Sequence, residues 1–212
     1  METALTEPQK RWLTTVFGHG AGGAAAALSQ WLGRPVALTV SAVEEADLAE
    51  ASEWLGPGDE LVAACIMPVS GGLEGSLLFV FDDRAGLALA DLLLRQEPGT
   101  ATGWDEMEQS AANETVNIVG CAYLNALAAH VPAADGGPSV IIPGPPAVRH
   151  EFAASLLEFA LMDQAVGSDR VLLINTEFAS ESLQLDWALL FAPTGASLRA
   201  LLDGASGIDG PL

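Results

Sequence analysis

The order of secondary-structure signals in this chain is read twice, and that repetition limits the architecture more than any single motif does. The stretch Leu73-Glu74-Gly75-Ser76-Leu77-Leu78-Phe79-Val80-Phe81, followed by a helix ending Ala90-Asp91-Leu92, lies over Leu183 through Phe191 and a helix ending Ala200-Leu201-Leu202. Leu73 then falls on Leu183, an interval of 110 residues. For the two long helices Leu28 falls on Leu127, an interval of 99. Identity between the halves is low, and a chance likeness of two α/β segments is the alternative. The repeat predicts one domain over residues 1–212, with halves at about 8–97 and 104–203 and a frayed tail at 204–212. The fold class expected is α/β (α+β), two-layer: a largely antiparallel sheet with long helices laid on one side.

In the first half a helix is expected from Glu7 to Leu32, closed by Gly33 with Pro35 beyond. Its middle, Gly18 to Gly23, predicts a kink or a close contact, because glycine weakens a helix by about 1 kcal/mol relative to alanine. A strand follows at Val36 to Val40, then an acidic connector with a short helix, Glu44 to Leu55. Leu61 to Pro68 and Gly75 to Phe81, separated by Ser70-Gly71-Gly72, read as a hairpin. Asp82-Asp83 can cap a helix at Ala85 to Leu94, and Glu97 to Gly103 is a loop.

The second half opens with a helix from Asp105 to Val131, behind a D-x-x-E box of Asp105 and Glu108. Strands are expected at Ser139 to Ile142, Phe152 to Ala160, Arg170 to Phe178 and Gln184 to Phe191, then a helix at Ser197 to Leu202.

The acidic side chains number 28 against 8 lysines and arginines, a net charge of -20. Such a surface repels nucleic acid and anionic membrane, and attracts a basic surface or a pocket containing a lysine. Solubility alone is the plainer account of the same charge. The two cysteines, Cys65 and Cys121, make no disulfide framework, and no leader or bilayer-length apolar run is visible. A cytoplasmic protein is expected. Gly18-His19-Gly20-Ala21-Gly22-Gly23 satisfies G-x-G-x-x-G, but a helical pattern precedes it where a dinucleotide fold needs a strand. His19, His130 and His150 have no metal-ligand spacing.

On the second long helix Ser110, Glu114 and Asn117 stand at i, i+4 and i+7, within an arc of about 60° at ~100° per residue. Val116, Val119, Tyr123 and Leu127 point to the opposite side. Polar groups facing away from an apolar stripe are what any amphipathic helix has, so spacing alone does not name a site.

The segment resembles the S/D-x-x-x-E-x-x-N signature of the CheC, CheX and FliY chemotaxis phosphatases. Ala122-Tyr123-Leu124-Asn125-Ala126-Leu127 is similar to that family's helix beyond the signature. Gly20 to Ala25 with Ala27-Leu28-Ser29-Gln30 resembles its first long helix, Gly75-Ser76-Leu77-Leu78 its middle strand, and Val171-Leu172-Leu173-Ile174 with Thr176-Glu177-Phe178 its late strand. The likeness spans roughly residues 8 to 203.

The resemblance implies a phosphatase for the aspartyl phosphate of a CheY-like response regulator, with Glu114 and Asn117 catalytic and Ser110 supporting. It implies no cofactor of the chain's own; the Mg2+ is expected on the regulator. Two-site members carry the signature on the first helix as well. Here the matching positions are Arg11, Thr15 and Gly18, so the first site is degenerate. That loss leaves a second reading open: a non-catalytic adaptor for a CheD-type deamidase or another signalling partner.

Overall fold

The computed structural model describes residues 4–47, 50–51, 58–131, 139–153, 155–156 and 170–206. Helix α1 spans Glu7–Leu32. The Thr6 hydroxyl accepts from the Gln9 amide, and the Gln9 side chain accepts from the Thr6 amide at 2.9 Å, so two free donors of the first turn are satisfied reciprocally. Gly33 ends the helix at φ 68°, where only glycine is unstrained, and its N–H donates to Ser29 O at 2.9 Å. The glycine-rich middle is a contact within a continuous helix. A Cβ on Gly20 would stand 2.6 Å from Tyr123 Cδ1 and 2.9 Å from Tyr123 Cα, so the two long helices meet backbone to side chain there.

Strand β1 (Val36–Asp47) is followed by the hairpin β2 (Leu61–Gly71) and β3 (Gly75–Asp82), and by helix α2 (Asp83–Leu93). Asp82 caps α2 as expected, accepting from Ala85 N at 2.8 Å. Helix α3 covers Glu106–Ala128, then come β4 (Ile141–Pro143), β5 (Ala147–Phe152), β6 (Arg170–Ser180), β7 (Gln184–Pro193) and helix α4 (Gly195–Ser206).

Several boundaries correct the sequence reading. β1 continues through Glu44 and Glu45 to Asp47, where a connector was expected; Glu50 and Ala51 are helical, and 52–57 lie outside the described residues. Glu45 is accommodated because it accepts the Leu5 amide at 2.6 Å and pairs with Arg170 at 3.2 Å. The strand read at Phe152 to Ala160 is displaced where it is described: β5 ends at Phe152, and Ala153, Ser155 and Leu156 are helical, while 154 and 157–160 lie outside the described residues. Asp105 occupies the N-cap of α3 but makes no side-chain cap bond, so the D-x-x-E box does not form. α3 stops at Ala128, short of Val131. α4 extends to Ser206, which makes the first residues of the expected tail helical; 207–212 lie outside the described residues.

Among the described residues the sheet has seven strands, ordered β1-β6-β7-β3-β2-β4, with β5 also paired to β2, and every pairing is antiparallel. The pairing is reciprocal. The first strand of the first half joins the second half's hairpin, and the second half's β4 and β5 join the first half's hairpin. At the centre Phe79 pairs with Leu189, residues related by the interval of 110 found in the sequence. Leu77, Phe79 and Phe81 pack in the same core cluster as Trp187, Leu189 and Phe191, so this alignment also preserves which side chains share a face.

Both sheet faces are buried. The larger core joins α1, α2, α3 and α4 to one face. The opposite face holds Val62, Ala64, Leu78, Val80, Val171, Leu173 and Leu190, covered in part by Ala51, Ala153 and Leu156. This explains the near-continuous apolar runs of β3 and β6, since a sheet wet on one side would alternate.

Candidate functional site on the second long helix

The buried positions of α1 include Trp12, Leu13, Val16, Phe17, Gly20, Ala21, Ala24 and Leu28. Moved on by 99 residues they land on Ala111, Ala112, Thr115, Val116, Val119, Gly120, Tyr123 and Leu127, all buried on α3. The two helices therefore bury the same face. This frame sets Ser110, Glu114 and Asn117 of α3 against Arg11, Thr15 and Gly18 of α1.

Ser110, Glu114 and Asn117 are all exposed, and they project from a continuous helix with Val116, Val119, Tyr123 and Leu127 sealed beneath them. The turn spacing brings the three together on one outward strip, as the sequence predicts. Cys121 continues that strip, and its thiol lies 3.8 Å from Asn117 Oδ1. Burial, and then the negative charge of Glu114, raise the pKa of that thiol, so it stays protonated and able to donate to the amide oxygen.

A polar contact ties α3 to the sheet beside the strip. Cys65 on β2 donates to Asn113 Oδ1 at 3.2 Å, and burial pushes the Cys65 thiol up to about 12, which keeps the donor proton in place. Asn113 precedes Glu114, so this contact reinforces the orientation that the buried face of α3 already fixes. The sequence reading passed over Asn113; its one visible signal was an amide placed between buried Ala112 and exposed Glu114. The pseudo-equivalent position on α1 is Thr14, whose hydroxyl accepts from Val43 N of β1 at 3.2 Å.

The first helix offers a different surface. Arg11 is exposed, the Thr15 hydroxyl turns back to Arg11 O at 3.0 Å, and Gly18 has no side chain. With Lys10, Thr14, Ser41 and Glu44, Arg11 and Thr15 line a groove of about 510 Å³ between α1 and β1. No acid-and-amide pair is presented there.

The other motifs resolve structurally. The glycines of G-x-G-x-x-G lie inside α1, with helix rather than strand before them. His150 pairs with Asp83 at 2.9 Å, and His130 packs edge-on against Trp12 at 5.4 Å between ring centres. Among the described residues no group of three or more His, Cys, Asp or Glu could hold a metal ion. No described helix is long and apolar enough to cross a membrane.

No family model matches the chain. Over 186 residues it is 26% identical to the CheY-P phosphatase CheC of Bacillus subtilis, covering 85% of this chain and 84% of that protein. The structure of FliY from Thermotoga maritima superposes with a TM-score of 0.75 at 20% identity, covering 97% of this chain and 99% of the other. FliM of H. pylori, from a complex with SpeE, superposes with a TM-score of 0.70 at 11% identity, covering 98% and 100%. The two structures show that the fold is shared. With the CheC likeness running through most of both sequences and the signature helix turned outward, the chain is similar to CheC in sequence and shares its fold with FliY and FliM.

Proposed function

We propose that this protein accelerates hydrolysis of the aspartyl phosphate on a CheY-like response regulator, with Glu114 and Asn117 as the working pair. The observation that carries the reading is the exposure of this acid and amide, one turn apart, on a helix whose opposite face is locked into the core.

In the reaction the oxygen of a water attacks phosphorus, the bond from phosphorus to the aspartyl oxygen breaks, and carboxylate and inorganic phosphate leave. Positioning is the main requirement. The Asn117 carboxamide can accept from the water and donate to a phosphoryl oxygen without titrating near neutral pH. Glu114 would pair with a lysine in the regulator's active site and fix the docking register. Ser110 supports from the turn before. The magnesium ion in this reading is the regulator's, where it spreads phosphoryl charge, and the chain supplies no cofactor. The acidic surface favours encounter with a basic pocket, and two free cysteines accord with the cytoplasm, where such regulators work.

A second reading rests on the first helix. Arg11, Thr15 and Gly18 have left one of the two faces without the pair, as in an adaptor that keeps the fold to bind a CheD-type deamidase or another partner. Release of phosphate from a phosphorylated regulator, with and without the protein, separates the two: acceleration supports the phosphatase, and its absence favours the adaptor.

A further inference from the structure

One turn before Ser110, α3 carries Met107, and its side chain is 60% exposed. At ~100° per residue position 107 lies about 20° from Glu114 around the helix, well outside the buried face. An amphipathic helix ordinarily carries polar groups there. The other large apolar side chains exposed among the described residues are Trp31, Leu61, Val140, Ile142 and Phe152, and none is on α3. Met107, Glu114 and Cys121 succeed one another at i, i+7 and i+14, a line about 21 Å long at 1.5 Å per residue.

We propose that Met107 is the apolar anchor of the docking strip, seating in an apolar hollow beside the active site of the phosphorylated regulator. The inference rests on the phosphatase reading and adds the residue that sets affinity. Apart from the half-buried Cys121, the remainder of the strip is polar or charged: Glu106, Ser110, Glu114 and Asn117. Such groups steer encounter and fix register but add little affinity, because each exchanges water for a partner at small net gain. Interface centres are depleted in charge and enriched in methionine, whose unbranched thioether adapts to an irregular hollow. Met107 stands one turn before Ser110 and two turns before Glu114, so it grips the partner without touching the reacting atoms. It is a specificity residue, not a catalytic one.

The test uses the full chain and CheY-like regulators of the same cell, phosphorylated with acetyl phosphate. KM and kcat for dephosphorylation are measured for the unmodified protein, Met107→Gln, Met107→Leu, and Val140→Gln as an exposed apolar control off the strip. Met107→Gln is expected to raise KM about fivefold to twentyfold with kcat within about twofold, while Met107→Leu and Val140→Gln stay near the unmodified values. An unchanged KM for Met107→Gln, or a loss confined to kcat, overturns the anchor and leaves the phosphatase reading standing. If the unmodified protein accelerates no regulator, the phosphatase reading fails and the anchor falls with it.

Discussion

Gly23 of α1 faces Ala122 of α3 so closely that a Cβ on the glycine would stand 3.8 Å from the alanine Cβ, and these residues occupy equivalent positions in the two halves. The relation is that of Phe79 and Leu189 at the centre of the sheet. Equivalent positions meet at both places, as they must on a twofold axis. The outward strips of α1 and α3 are therefore matched surfaces differing in side chains, and this leads to the first prediction.

Restoring the pattern on the first helix should create a second site. In an Asn117→Ala background, the triple change Arg11→Ser, Thr15→Glu and Gly18→Asn is expected to recover measurable acceleration of regulator dephosphorylation. In the unmodified background the rate per molecule should rise by at most about twofold. Nothing lies within 4 Å of a Cβ at Gly18, so the asparagine has room. No recovery from a folded triple variant would contradict the matching of the two helices.

Glycines within one helix should answer differently to alanine. Gly20→Ala drives a methyl into Tyr123, partly against its backbone, and should destabilise by about 1–3 kcal/mol. Gly18→Ala and Gly22→Ala meet nothing within 4 Å and should stabilise by roughly 0.5–1 kcal/mol. Gly18→Ala should also leave any phosphatase rate unchanged. Urea titrations of the three variants check the ranking.

Asp91 is fully buried near the end of α2, and its carboxylate accepts from the amides of Gly99, Thr100 and Ala101 at 2.8 to 3.0 Å. It holds the loop leading to α3. Asp91→Ala strips partners from three backbone donors and should cost at least about 3 kcal/mol, with earlier proteolysis near residues 97–103. Asp91→Asn, which keeps one acceptor oxygen, should cost less.

Alkali should weaken the fold through Cys65 and Tyr123. Burial raises the Cys65 thiol from 9.0 to about 12, and the Tyr123 hydroxyl from 10.0 to about 12. Both groups are then neutral in the folded state at pH values where the unfolded chain has begun to ionise them. Their contribution is complete below about pH 9 and is lost as the pH rises towards 12. Thermal unfolding should show the decline over that interval, and Cys65→Ala should make it shallower.

Legibility in the sequence depends on where the physics is local. The ends of α1, the cap on α2 and the hairpin of β2 and β3 depend on residues a few positions apart, and these were legible. β5 was not, because Ala147–Phe152 is an edge strand exposed along most of its length, and Arg149-His150-Glu151 hides any alternation. The extension of β1 has no local signal because Glu45 is held by groups far along the chain, the Leu5 amide 40 residues before it and the Arg170 guanidinium 125 after it. At the site, helical spacing and the family likeness picked out Ser110, Glu114 and Asn117. The Asn113–Cys65 contact needs β2 placed beneath α3 and has no local signature.

The most direct test is the decay of a phosphorylated CheY-like regulator in the presence of the intact protein and of Asn117→Ala. The account predicts that the intact protein shortens the phosphoryl half-life at least tenfold, and that Asn117→Ala, folded as judged by circular dichroism, removes nearly all of that effect while still binding the regulator. Acceleration that persists undiminished in Asn117→Ala would contradict the role given to the outward face of α3.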